Sequence, residues 1–172
     1  MEYEKLIADR YSVRQFQDKP IGKGSIDMIL NAGHIAPTGC NNQPQRILVI
    51  NSDEAIEKLQ KCTKCHFNAR TAMLICYNED ESWIRPYDGA LAAPIDCSIV
   101  TTHMMLMAHS LGIGNTWVMH FDPFTMREEF NIPENIHPVA LLVMGYPADD
   151  AEPNPRHTQY RPLDEVVVYN EF

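Results

Sequence analysis

The stretch from Ile95 to Leu111 does most to restrict what this chain can fold into. Ile99, Val100, Met104, Leu106, Met107 and Leu111 recur at helical spacing but point in different directions, so a helix here is apolar on nearly every face. Such a helix has no side to give to water. It must be enclosed by the rest of the fold or by a second subunit. With 172 residues and 19.6 kDa, the chain has the length of one domain, taken as residues 1–172, and can bury a real core without staples. No apolar run approaches the length needed to cross a bilayer, so no membrane partner is expected.

Charge narrows the function. Lys and Arg number 14 against 23 Asp and Glu, a formal charge of −9, which argues against binding a long polyanion and so against a nucleic-acid partner. Residues 1–20 carry Lys5, Arg10, Arg14 and Lys19 with no apolar stretch between them, so no signal peptide is expected and the chain reads as cytoplasmic. The five cysteines, an odd count, read as reduced thiols rather than a disulfide framework.

Helices are expected at residues 2–9, after a Ser25 cap with Ile26, Ile29, Leu30 and Gly33 as its stripe, after Ser52 or Asp53, over 95–111, and at 125–130. Strands are expected at 46–50, 72–77, 116–119 and 139–144, with a final β segment at 166–169. Pro37 to Pro44 is turn chemistry throughout, and 78–89 is a loop anchored by Trp83 and Tyr87. Helices and strands without strict βαβ alternation suggest a three-layer α+β domain.

Two segments could carry chemistry. In Arg10-Tyr11-Ser12-Val13-Arg14, an extended backbone puts residues 10, 12 and 14 on one side, gathering two guanidinium groups and a hydroxyl suited to a phosphate ester. The same residues also read as two solvated surface arginines. In the loop Pro37-Thr38-Gly39-Cys40-Asn41-Asn42-Gln43-Pro44, stiff ends flank amides able to meet a heterocycle, though a plain helix-to-strand connection fits as well.

Five motifs in order, S-x-R-x-F at 12–16, A-P-T-x-x-N-x-Q-P at 36–44, L-G-I-G-N-T-W at 111–117, V-x-G-Y-P at 143–147 and R-P-L-D-E-V at 161–166, make the chain resemble the FMN-dependent nitroreductase family. The resemblance implies a three-layer α+β fold, with a central mixed or antiparallel sheet flanked by helices. It also implies a homodimer with flavin mononucleotide (FMN) at each of two interface sites. The implied activity is a ping-pong transfer of hydride from NADH or NADPH through the flavin to a small acceptor such as a nitroaromatic, a quinone or an enone. By position, Arg10, Tyr11 and Ser12 belong to the phosphate side, with Arg161 as third phosphate ligand, and Arg14 lies near the ring. Pro37, Thr38, Gly39, Asn41 and Gln43 reach the flavin of the other subunit. The Met119 backbone approaches flavin N5, and His120 is a candidate substrate contact. Residues 78–94 are the candidate for a partial lid. Family members commonly have smaller or acidic residues where this chain has Met119 and His120.

Cys62-Thr-Lys-Cys65-His66 could open a zinc site, but no second Cys or His pair stands at a matching spacing, so no metal is expected and the cysteines read as unpaired thiols. Two rivals to the oxidoreductase reading remain. One is a flavin-consuming or reductively dehalogenating relative; the other is a non-catalytic flavin-binding or metal-linked interaction module.

Overall fold

The structure is a computed structural model that describes residues 2–172. Its centre is a four-stranded sheet in the order β1 (Gln45–Ile50), β2 (Thr71–Asn78), β4 (Ile136–Gly145), β3 (Gly114–Val118), with every neighbouring pair antiparallel. Central β2 and β4 carry Ala72 to Cys76 and Ala140 to Met144, all buried, as expected of strands covered on both faces. One face is packed by α2 (Lys23–His34) and α4 (Ala93–Ser110) through Ile29, Met73, Val100, Met104 and Leu142. The other is packed by α3 (Asp53–Cys62) and α5 (Pro123–Phe130) through Leu59, Leu74, Met126 and Val143. This is the three-layer α+β arrangement expected. α1 (Tyr3–Asp9) and a four-residue turn, α6 (Leu163–Val166), complete the helices.

Local chemistry accounts for the boundaries. Ser52 caps α3 by accepting the Ala55 N–H at 3.2 Å, and Asp122 caps α5 by accepting the Phe124 N–H at 2.9 Å ahead of Pro123. Ser25 is not a cap: α2 starts two residues earlier, at Lys23, and Gly22 at the cap offers no side-chain acceptor. The β segment expected at 166–169 is replaced by α6 and an exposed tail. Pro162 fixes the backbone for a helical turn, Val167 N–H closes it on Leu163 C=O at 2.9 Å, and no strand of the sheet pairs with Val167 to Tyr169.

α4 is only half enclosed. Ala93, Asp96, Cys97, Val100, Thr101, Met104 and Ala108 are buried, whereas Ile95 on its outer side is 65% exposed. Tyr3 and Ile35, both exposed, line with Leu6, His103 and Leu106 a groove that runs between α1, α2 and α4.

Candidate functional site

The segment from Arg10 to Gln17 is extended and lies along the rim of the sheet. Ser12 bridges Asn115 of β3, Val13 N–H donates to Asn115 C=O at 3.0 Å, and Gln17 N–H donates to Tyr146 C=O at 2.8 Å. Two glycines make the close approach possible: a Cβ on Gly114 would sit 2.8 Å from Val13 Cγ2, and one on Gly145 would sit 3.1 Å from Phe16 Cδ1. With Val13 buried beneath, the side chains of residues 10, 12 and 14 share the other side, as the alternation requires.

They open into a cavity of about 370 Å³ lined by Arg10, Tyr11, Ser12, Arg14, Asn154, Arg156, His157 and Tyr160. Three guanidinium groups, an imidazole and the hydroxyls of Tyr11, Ser12 and Tyr160 thus converge with no carboxylate in the lining, in a chain whose formal charge is −9. Arg14 Nη1 donates to Ser12 C=O at 3.1 Å, Tyr11 Oη donates to Ala151 C=O at 3.2 Å, and the Tyr11 ring meets His157 edge-on with centroids 6.2 Å apart. Behind the cavity His109 is held below the ordinary histidine range, first by burial and then by the positive charge of Arg10.

Arg161 does not line this cavity; its guanidinium stands 3.7 Å from Glu165. Arg156, Asn154, His157 and Tyr160 take part instead, on and around the 3₁₀ turn Pro155–Thr158 that Asn154 opens by accepting the Arg156 N–H at 3.0 Å. Asn154-Pro155 was the readable signal for that turn.

The loop 37–44 is elsewhere. Residues 10–17 dock at the end of the sheet where Gly114 and Gly145 pair, outside β3, whereas the loop enters β1 at the opposite end, where Gln45 pairs with Tyr77. That is about four strand spacings, about 19 Å, across the sheet as well as the length of a strand along it. One chain does not bring both segments around one small molecule. The loop is stiff: Cys40, Asn41 and Gln43 all have positive φ, at about 1 to 2 kcal/mol each for a non-glycine residue. What holds it is a set of bonds from outside and within: Gln43 N–H to Thr38 Oγ1 at 3.1 Å, Asn42 Nδ2 to Glu81 C=O at 3.1 Å, and Gly39 N–H to Asp96 Oδ1 at 2.9 Å. Asp96 is 3% exposed, in the first turn of α4 where the helix dipole favours a carboxylate, and its Oδ2 has no hydrogen-bond partner among the described residues. A charged residue opening so apolar a helix was a signal that sequence reasoning left unused. Residues 78–94 pack on the same loop. A Cβ on Gly39 would lie 3.3 Å from Trp83 Cβ, and Ile84 bridges Leu91 in a small excursion braced by the Arg85–Asp88 ion pair.

Met119 and His120 follow β3 at a third location. Met119 is 63% exposed, and His120 borders a depression with Lys61, Lys64, Phe121 and Asp122. Among the described residues, no group of three or more His, Cys, Asp or Glu is arranged to hold a metal ion.

Comparison with known proteins gives the family. The family model described as "Nitroreductase family" matches residues 7–74 and 63–146. A solved nitroreductase family protein from Clostridium difficile 630 is 42% identical, with a TM-score of 0.94 and complete coverage of both chains. A relative from Archaeoglobus fulgidus whose name pairs NADH dehydrogenase with NAD(P)H nitroreductase is 32% identical over 155 residues, 86% of this chain and 87% of its own. A Bacillus subtilis protein named FMN reductase [NAD(P)H] is 24% identical over 176 residues, 92% of this chain and 71% of its own. By family model, identity and fold together, the chain belongs to the nitroreductase family.

Proposed function

We propose that residues 1–172 form a single flavin-binding domain that works as an FMN-dependent oxidoreductase, passing reducing equivalents from NADH or NADPH to a small acceptor such as a nitroaromatic, a quinone or an enone. The observation that carries the reading is the convergence of Arg10, Arg14 and Arg156 with Ser12 in one cavity without a carboxylate, a donor set matched to a phosphate monoester. When bound, FMN supplies the redox chemistry, accepting hydride from the nicotinamide and delivering it onward. The protein's part is to bind, orient and tune. Arg10 and Ser12 take the phosphate, and Arg156 completes its shell in place of Arg161. Arg14, tethered to Ser12 C=O, supplies positive charge on the ring side, which favours a ring carrying negative charge.

The reading includes a homodimer in the cytoplasm. Loop 37–44 and the arginine cavity occupy diagonal corners of the chain, so the loop serves the flavin held by a second subunit. The exposed Ile35 and Ile95, and the exposed Val168 and Tyr169 of the tail, supply apolar surface for that contact. Met119 and His120 then lie on the acceptor's approach, and residues 78–94, fastened to the loop through Glu81, edge the same site.

Purified protein reconstituted with FMN and titrated anaerobically with NADH and NADPH tests the proposal. Bleaching of the visible band, followed by its return on adding an acceptor, is the expected result. Bound flavin that neither nucleotide bleaches would make the protein a flavin reservoir, and failure to bind FMN would remove the phosphate assignment.

A further inference from the structure

Cys65 and His120 are brought together by a single hydroxyl. Thr63, 6% exposed, donates its Oγ1–H to the carbonyl of His120, and the same oxygen accepts the Cys65 N–H at 2.9 Å. The brace holds Cys65 Sγ 3.7 Å from His120 Nδ1, within hydrogen-bonding range for sulfur. The thiol is half-buried and the imidazole exposed, and His120 borders a depression, lined also by Lys61, Cys62, Lys64, Phe121 and Asp122, that gives a small molecule room on the imidazole side of the pair.

Among the described residues, no other cysteine has an imidazole partner. Burial pushes Cys62 up to about 11 and Cys76 and Cys97 up to about 12, and the Cys62 and Cys97 thiols already donate to Lys58 C=O and Cys76 C=O. Cys40 is exposed, but its sulfur has no hydrogen-bond partner among the described residues. The charged and titratable groups around the pair are Lys61, ion-paired with Glu129 at 3.0 Å, Lys64, His66 and Asp122, whose carboxylate already accepts Phe124 N–H and Thr125 Oγ1–H. Nothing in the proposed flavin chemistry uses these residues as a thiol–base pair.

We infer that Cys65 and His120 form a thiol–imidazole pair that makes Cys65 a site of reversible S-thiolation by low-molecular-weight disulfides. The Cys65 S–H proton passes to His120 Nδ1 as the sulfur attacks one sulfur of the disulfide. The new Cys65 S–S bond forms while the reagent's S–S bond breaks, and the leaving thiolate takes the electron pair. The disulfide is the oxidant, so no other co-reactant is needed, and a second thiol reverses the step. The inference does not rest on the flavin reading.

The test is stopped-flow reaction of the reduced, folded protein with dithiobis(nitrobenzoate) at pH 6.5 and 8.5, with the modified cysteine identified by peptide mass spectrometry. An unassisted thiol is about 1% ionised at pH 6.5, so general-base help shows most clearly there. The expected result is a fast phase at pH 6.5 that maps to Cys65 and outpaces Cys40 by at least about tenfold. Cys65→Ser abolishes that phase. His120→Asn keeps the Thr63 brace, which holds the His120 backbone, yet slows Cys65 to the Cys40 rate at pH 6.5. A fast phase that maps to Cys40, survives His120→Asn or is missing from the wild type overturns the inference.

Discussion

Replacing each of three arginines separately asks whether the cavity is a phosphate site and which residues form it. Arg10 is half-buried against the rim of the sheet, so its hydrogen bonds to a charged phosphate carry the full range of about 1.5 to 3 kcal/mol. Arg10→Ala therefore weakens FMN binding by about tenfold to about 150-fold. Arg156 is exposed and its contribution is screened, so Arg156→Ala costs less, about threefold to tenfold, and the loss shrinks further in high salt. Arg161 lies outside the cavity beside Glu165, and Arg161→Ala changes affinity by less than about twofold. Riboflavin has no phosphate, so none of the three moves its affinity by a comparable factor. The assay is quenching of flavin fluorescence on titration with protein, run in parallel for FMN and riboflavin. An Arg161→Ala loss equal to that of Arg156→Ala would refute the placement of the tail, and an Arg10→Ala loss shared by riboflavin would refute the phosphate role.

Three further outcomes follow from the packing. Gly114→Ala places a methyl 2.8 Å from Val13 Cγ2 and 2.9 Å from Pro147 Cγ, so it should destabilise by about 1 to 3 kcal/mol and lower Tm by several degrees; an unchanged Tm contradicts the close approach. His109 is held below its ordinary value in the folded chain, so its contribution to stability is full above about pH 6.5 and is lost as pH falls through the lower folded value. Urea titrations between about pH 7.5 and 5 should show a smaller acid loss in His109→Gln than in the wild type, and equal losses would reject the assignment. Ile35→Glu combined with Ile95→Glu, both at exposed positions, should keep the native circular dichroism but yield a monomer by sedimentation, with FMN binding weakened; a dimer with intact affinity would put the interface elsewhere.

Much of the fold was legible because burial imposes period and composition on it. The apolar runs of β2 and β4 are the two central strands, and Ile29 and Leu59 sit on the buried stripes that helical spacing marked. Residues 10, 12 and 14 do line one cavity, with Tyr11 beside them. Ser25 misled because a cap is set by where the chain turns, and it turns at Gly22. Val166 to Tyr169 misled because strand propensity needs an edge to pair with, and the tail meets none within its own chain. Arg156 escaped notice because a 3₁₀ turn, which Asn154-Pro155 marks but does not locate, brings it to the cavity that Arg10 lines, 146 residues away in sequence. Thr63 escaped for the same reason, since it matters for what it bonds across the fold, whereas Asp96 did carry a local signal, a carboxylate in the first turn of an apolar helix.

Subunit mixing decides whether one flavin site takes its arginine cavity from one chain and its 37–44 loop from another. One chain carries Arg10→Ala with Arg156→Ala; the other carries Thr38→Ala with Asn41→Ala. Each homodimer should bind FMN weakly at both sites. In the heterodimer, purified by two different affinity tags, one site collects all the defects and the other has none, so tight binding should return at one FMN per heterodimer. Titration that finds no tight site in the heterodimer, or wild-type affinity in either mutant homodimer, would contradict the shared site.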